Sequence, residues 1–505
     1  MARLTGIALV VCALLGGFAS STGATAAASP TPPTGSVPGS SPAADWPLAG
    51  QNLDNARAAI GSSIKAANVD QLDPAFTTDL PGFSALSTAP VVVDHTVFLQ
   101  GALGAVVALD ADTGATRWSS PATGFNIGPF GVAIADGRVF ADAGSDGVLA
   151  LDQSTGKQLW RTRLSTTSTL GVDIQPTVFD GIVFASTVPV SIAGIYKPGD
   201  RGTIYALDAT TGTVRWSFDT VKGDLWGHPD VNSGGGAWYP PAIDTKRRIV
   251  LFGTANPAPF PGTTAFPNGT SRPGDNLYTD SVVALDVDTG RLRWYHQVTK
   301  HDLYDRDQVH VLLARLANGR EVVVSAGKSG EVLGLAPATG RVLWQRSVGV
   351  HAHDTDRVLQ GPTTVSPGTY GGVETPPATA AGIVYVATLN APTALQPDKP
   401  AYFGGQLGTH PGEVVAIDAR NGKVVWDTKV PGDPLGGTTV VNNLVFTALL
   451  DGTVIGLRRD TGKIVWRHQA GGGINGWLTP VGDTIYIPVG QTKTPQLLAL
   501  RLPSS

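Results

Sequence analysis

ALDADTGATRW, beginning at Ala108, is the first of seven versions of one phrase. ALDQSTGKQLW follows from Ala150, ALDATTGTVRW from Ala206, ALDVDTGRLRW from Ala284, GLAPATGRVLW from Gly334, AIDARNGKVVW from Ala416 and GLRRDTGKIVW from Gly456. A phrase that recurs at intervals of tens of residues marks an array of similar units, none of which buries its apolar face alone. Each copy reads as a β-hairpin: an apolar strand, a tight polar turn closing on Gly, and an alternating strand that delivers a Trp to a buried position. Gly114, Gly156, Gly212, Gly290, Gly340, Gly422 and Gly462 stand where the turn calls for a positive φ. Trp118, Trp160, Trp216, Trp294, Trp344, Trp426 and Trp466 read as wedges between sheets, a device of β-propellers, and not as chemistry.

Upstream of each phrase lies a second hairpin, such as the run PVVVDHTVFL from Pro90; comparable runs begin near Gly131, Pro176, Pro241, Val309, Pro377, Gly437 and Pro480. The inner hairpins number eight against seven Trp phrases. The last unit ends in LLALRL, from Leu497 to Leu502, with no outer strand of its own, while QLDPAFTTDL, from Gln71 to Leu80, precedes the first inner hairpin. The expected fold is therefore all-β: an eight-bladed β-propeller whose ring is closed by an N-terminal strand, leaving no open sheet edge. The 63 Gly, 37 Pro and 15% charged residues suit many short strands joined by turns.

The ends of the sequence read differently. Residues 1–28 have the pattern of a secretory signal peptide, with Arg3 before an apolar run from Ile7 to Phe18 and small residues around Ala26 and Ala28. Residues 29–44, rich in Pro, Ser and Gly, read as a linker, and residues 45–505 as one propeller. The only cysteine, Cys12, falls inside the apolar run, so the expected mature chain is thiol-free, secreted or extracytoplasmic, and has no later stretch long enough to span a membrane. A net charge of −4 without a basic run argues against a nucleic-acid partner or a membrane surface.

Spacing separates scaffold from candidate site. The Trp phrases start 42, 56, 78, 50, 82 and 40 residues apart, so long insertions follow the third and fifth copies, and long loops on a rigid ring are where function gathers. The first insertion and its sequel contain GGGAWYPPAID from Gly234, GTANPAPF from Gly253, RPGDNLYTD from Arg272 and HDLYDRD from His301. In this order, and with the opening DWPLAGQNLDNARAA from Asp45, these motifs resemble the quinoprotein alcohol dehydrogenases, eight-bladed propellers that bind pyrroloquinoline quinone (PQQ) and include methanol, ethanol and polyvinyl-alcohol dehydrogenases.

The resemblance implies a site. Trp238 matches the aromatic platform on which the quinone stacks, and Lys328 in SAGKSGEVLGL matches the basic residue that donates to the quinone oxygens. Asp305 matches the base that takes the hydroxyl proton of an alcohol. Asn256, Asp305 and Asp307 match ligands of a cation, Ca²⁺ or a lanthanide. Two features depart from the family. No Glu occurs in VPVSIAGIYKPGDRGTIYALD from Val188, where relatives supply one to the cation and this chain offers only Lys197 and Asp200. The adjacent-cysteine disulfide of many relatives is also absent, as is a haem-attachment CxxCH, so electrons would pass to a separate acceptor. The expected activity is oxidation of an alcohol or sugar-like hydroxyl to a carbonyl. The alternative is a propeller that has lost the cofactor and serves as a binding or assembly module. His351, His353 and Asp354 read as a solvated loop, and Glu374 and Asn390, in the second insertion, carry no assigned role.

Overall fold

A computed structural model describes residues 45–126, 128–165, 167, 169–189, 196–401, 407–408 and 410–503. The expected signal peptide and linker lie outside these residues. The chain folds as an all-β propeller. Helix among the described residues is confined to three single turns, at Val69–Gln71, Leu225–Gly227 and Pro267–Gly269, and none is long and apolar enough to cross a membrane.

Antiparallel four-stranded units succeed one another at residues 91–119, 132–163, 177–219, 242–297, 310–347, 378–430 and 439–469. A further sheet is made by Thr479–Val481, Thr484–Val489 and Gln496–Arg501, with Asp73–Asp79 hydrogen-bonded to its last strand. The repeated phrase explains how neighbours join. Its Trp always faces a tiny residue across the hairpin, Ala108 opposite Trp118, Ala206 opposite Trp216 and Gly334 opposite Trp344, because nothing larger leaves room for the indole. The indole then lies on the turn glycine of the next unit. A Cβ on Gly156 would stand 2.4 Å from Trp118, and one on Gly290 would stand 2.6 Å from Trp216. Both glycines also hold the expected positive φ, 69° and 68°. The indole N–H donates to a backbone carbonyl in that same turn, Trp118 to Gln153 at 3.0 Å, Trp216 to Val287 at 2.9 Å and Trp344 to Ala419 at 2.8 Å. Where the first turn has no preceding Trp, Phe76 of strand Asp73–Asp79 takes over: it pairs opposite Ala499, and a Cβ on Gly114 would stand 2.5 Å from its ring.

In five of the seven phrases an Asp precedes the turn and shapes it. Asp110 Oδ1 accepts the backbone N–H groups of Asp112 and Thr113 and the Thr113 hydroxyl, and its other oxygen pairs with Arg117 at 2.9 Å. The Arg117 bond and these donors hold its proton affinity well below the usual carboxylate range.

A second device works at the hub. The segment 46–57, which the sequence marks only as a family-like opening, passes its carbonyls to the innermost strands of six sheets. Val92, Ile134, Ile243, Leu313, Thr379 and Val440 each donate a backbone N–H, to Trp46, Pro47, Leu53, Asp54, Ala56 and Arg57 in that order. Arg57 is 1% exposed and donates to Ala49 O, Thr438 O, Leu478 O and Thr439 Oγ1, with its guanidinium 6.0 and 5.8 Å from the rings of Trp46 and Trp477. Burial lowers it to about 9. Beside it a cavity of about 20 Å³, room for one water, is lined by Arg57, Tyr239, His310 and Trp477 among others.

Replacing Arg57 by Ala orphans several of these carbonyls at about 1–2 kcal/mol each, so Arg57→Ala should lower the urea-unfolding free energy by roughly 3–5 kcal/mol. His310 supplies a pH test. Its burial depresses it to about 3. Between its ordinary value near 6.5 and about 3 the unfolded chain takes up a proton that the native chain refuses, so stability falls as pH drops through that window. His310→Gln should remove that slope from a plot of unfolding free energy against pH.

Candidate functional site

The first insertion is tied together by its glycines. Ser233–Gly235 pairs with Pro257–Ala258, Gly234 opposite Pro257, and the Gly235 N–H donates to Asn256 O at 3.0 Å. A Cβ on Gly234, at φ +135°, would stand 2.6 Å from that same oxygen, so GGG in GGGAWYPP serves close backbone approach. Trp238 emerges three residues beyond this pairing, half-buried, and the next residue, Tyr239, donates its hydroxyl to Glu374 O at 2.8 Å. Asn55, from the hub segment, fastens the same stretch from below by donating to Pro240 O and Val311 O.

RPGDN and HDLYD form a second brace. Arg272, fully buried, donates to Pro259 O, to Asp302 O and to Asn276 Oδ1, which binds GTANPAPF, RPGDN and HDLYD into one block. Within the loop, Asp302 accepts the N–H of Tyr304 on one oxygen (2.7 Å) and that of Arg306 on the other (2.8 Å). This clamp leaves Asp305 at φ +68° between them, in the left-handed region that non-glycine residues seldom occupy.

The side chains converge on Lys328. Its ammonium lies 3.0 Å from Asp305 Oδ2 and 2.9 Å from Asp307 Oδ2, and all three side chains are largely buried. Asp307 Oδ1 accepts the Asn256 N–H at 2.6 Å, and the Asn256 side-chain oxygen accepts the Tyr196 hydroxyl at 3.3 Å. Asn256, Asp305, Asp307 and Lys328, more than seventy residues apart at the extremes, thus form one hydrogen-bonded knot, with Trp238 held by the strand pairing that positions Asn256. Burial works to lower the Lys328 ammonium, but Asp305, Asp307 and Glu374 outweigh it and hold it well above its ordinary value. Burial pushes Asp305 up, against the opposing effect of Lys328 and with the help of Asp307 and Asp302, so this carboxylate binds a proton more readily than an ordinary one.

Two acids here had no assigned role. Asp280, which closes the motif RPGDNLYTD, is fully buried with neither oxygen hydrogen-bonded; burial, then Asp302 and Asp307, raise its proton affinity well above normal. Glu374 comes from the second insertion, where Val373 donates to Gly327 O at 3.0 Å and a Cβ on Gly372 would stand 2.3 Å from Lys328 O. Burial, opposed by Lys328 and aided by Asp307, brings Glu374 to about 7. Periodicity offers no signal for either, since both are single acids in irregular loops.

Other expectations resolve locally. Asp200 accepts the Thr169 hydroxyl at 2.5 Å, and residues 190–195, in the stretch where relatives supply a Glu, lie outside the described residues. His351 spends one ring nitrogen on Asp354 at 2.7 Å and the other on Val348 O at 3.0 Å, as a solvated loop does. Asn390 Oδ1 accepts the Val350 N–H.

Whether these residues fit the groups implied by the resemblance follows from their chemistry. For a planar quinone they offer an aromatic face at Trp238 and a buried ammonium at Lys328. For a cation they offer only oxygen, two carboxylates and one amide, the donor type that calcium takes, but fewer than its usual six to eight. Among the described residues no three His, Cys, Asp or Glu side chains are placed to hold a metal.

Comparison with known proteins places the chain. Residues 166–347 match the family described as glucose/ethanol/alcohol dehydrogenase, beta-propeller domain, and residues 63–186 and 364–500 match the family of the outer membrane protein assembly factor BamB. The quinohemoprotein alcohol dehydrogenase of Comamonas testosteroni is 27% identical over 503 residues, 85% of this chain and 70% of that protein. The polyvinylalcohol dehydrogenase of a Pseudomonas species is 27% identical over 517 residues, 88% of this chain and 73% of that protein. In fold, the chain superposes on the crystal structure of the Comamonas enzyme with a TM-score of 0.78, at 23% identity, covering 91% of this chain and 82% of that one. It superposes on a europium-containing methanol dehydrogenase with a TM-score of 0.77, at 21% identity, covering 91% and 98%. With its Trp phrases packed into a propeller and the motifs of the first insertion and its sequel gathered about Lys328, the chain is a β-propeller homologous to the PQQ-dependent alcohol dehydrogenases.

Proposed function

We propose that this chain is a secreted PQQ-dependent dehydrogenase that oxidises an alcohol or sugar-like hydroxyl to a carbonyl and passes the electrons to a separate acceptor. The observation that carries the reading is the Lys328 ammonium shared between Asp305 and Asp307 beside Asn256. When bound, PQQ supplies the two-electron acceptor for the hydride of the alcohol carbon. The protein's own residues supply the rest. Asp305, buried and with raised proton affinity, takes the hydroxyl proton. Lys328, charged despite its burial, stabilises negative charge that develops on the acceptor's oxygens. Trp238 gives the ring a face to lie on. Asn256, Asp305 and Asp307 would hold Ca²⁺ or a lanthanide.

The ring itself reads as eight blades closed by the N-terminal strand, a reading supported by the pairing of Asp73–Asp79 with Gln496–Arg501 and by Phe76 in the place of a Trp. Export is supported by the apolar run from Ile7 to Phe18, and a separate acceptor by the lack of any CxxCH in this sequence. The likeness of residues 63–186 and 364–500 to the BamB family supports the second reading, a propeller that binds or assembles without a cofactor.

Purified protein mixed with PQQ and either Ca²⁺ or a lanthanide should reduce a redox dye when given an alcohol; quinone binding under neither ion leaves the second reading. Asp305→Ala should lower kcat by about 10²–10⁴-fold while quinone uptake stays intact. Trp238→Ala should weaken quinone uptake by roughly tenfold, the value of a lost aromatic stack, and unchanged uptake would place the ring elsewhere.

A further inference from the structure

We infer that the quinone pocket of this chain stands assembled without a bound metal ion, because the Lys328 ammonium bridges Asp305 and Asp307 as a divalent cation between them would. The inference rests on the PQQ reading above and concerns what organises the pocket before any turnover.

The oxygens offered to a cation are already in use. Lys328 Nζ lies 3.0 Å from Asp305 Oδ2 and 2.9 Å from Asp307 Oδ2. Asp307 Oδ1 accepts the Asn256 N–H at 2.6 Å, and Asn256 Oδ1 accepts the Tyr196 hydroxyl at 3.3 Å. Four of the five side-chain oxygens of Asn256, Asp305 and Asp307 are thus engaged by donors of the protein itself. The stretch from Val188 brings no Glu to this place; what it brings is the Tyr196 hydroxyl, which donates where a carboxylate could only accept. An ion taking Asp305 Oδ2 or Asp307 Oδ2 as a ligand would be a near neighbour of the ammonium, and two like charges in a buried place repel with little water to screen them.

Lys328 is also held as firmly as the groups it bridges. Its N–H donates to Asp307 O at 3.0 Å, and its carbonyl accepts Arg306 Nη1 at 3.1 Å. Two glycines permit this approach. A Cβ on Gly327 would stand 2.1 Å from Asp307 O, and one on Gly372 would stand 2.3 Å from Lys328 O. The ammonium is therefore fixed to the loop of Asp305 and Asp307 through its backbone as well as through its charge. An ammonium has three N–H donors, so with two spent on Asp305 and Asp307 the third remains for an oxygen of the bound ring. Removing the ammonium would leave two buried carboxylates facing each other unpaired, and only then does an outside cation become necessary.

The test reads quinone uptake and needs no turnover. For the full chain stripped of metal, the PQQ dissociation constant from equilibrium dialysis should be the same in EDTA as in millimolar Ca²⁺. Lys328→Met should bind PQQ roughly tenfold to a hundredfold more weakly in EDTA, the weight of a hydrogen bond to a charged group, and should regain much of that affinity in Ca²⁺. The same variant also loses a donor to the ring, but that loss is equal with and without Ca²⁺, so the ratio of the two affinities isolates the bridging role. Lys328→Arg, which keeps the charge, should stay indifferent to Ca²⁺, and together with the parent it decides the matter if Lys328→Met does not fold. Uptake by the parent only in Ca²⁺ or a lanthanide would overturn the inference and leave the PQQ reading standing, and so would a Lys328→Met protein indifferent to Ca²⁺. No uptake under any condition would remove the PQQ reading and this inference with it.

Discussion

The contact between a phrase tryptophan and the turn glycine of the next unit, made by all of them but Trp466, is the interaction on which the ring depends. It joins two requirements that usually sit apart in a chain. The glycine must take a positive φ to close its own hairpin and must lack a side chain so that a neighbour's indole lies flat on it. The indole N–H then satisfies a carbonyl that the turn would otherwise leave orphaned. One contact therefore supplies apolar burial, backbone satisfaction and the angle between sheets. Substituting a turn glycine would strain two units at once. The hub segment 46–57 does the complementary work from inside, since its carbonyls run from sheet to sheet and its Arg57 anchors them between two indoles.

A rigid ring explains why the site is gathered from loops. Asn256, the loop of Asp305 and Asp307, and Lys328 belong to three separate stretches, and each has its brace: Gly234 and Gly235 for Asn256, the Asp302 clamp for Asp305, the Gly372–Val373 segment for Lys328. The knot then has an excess of acid over base. Asp305, Asp302, Asp280 and Glu374 are all raised by burial before any other cause, and Lys328 and Arg306 offset only part of it. A proton arriving at Asp305 has acceptors close by, which suits a site whose substrate gives up a hydroxyl proton.

The propeller was legible because its signal repeats. The phrase, ALD-x-x-TG-x-x-x-W in four copies and a near variant in three, shows its turn glycine, its small cross-strand partner and its wedge seven times over, so chance resemblance is excluded by recurrence. The knot was legible for a different reason: its members sit in motifs that resemble a family, and the fold brings Asn256, Asp305, Asp307 and Lys328 from those motifs together. What stayed hidden lacked both signals. Phe76 replaces a Trp with another aromatic in a segment without the phrase. Asp142 reads as one more strand-ending Asp in RVFADAGSDG, and only the fold reveals that it is buried with no cation beside it, whereas Asp110, which ends the strand entering a phrase turn, caps that turn and pairs with Arg117. The hub segment is irregular, and its value lies in backbone carbonyls, which no side-chain pattern records.

The claim at the centre of this account is that the Asp305–Lys328–Asp307 knot and the Trp238 face together receive a planar quinone. The most direct measurement is a crystal structure of the protein soaked with PQQ. Density for a flat ring on Trp238, with an oxygen within hydrogen-bond distance of Lys328 Nζ, is the predicted result. Density at another surface, or none at saturating quinone with Trp238 and Lys328 ordered, would contradict it.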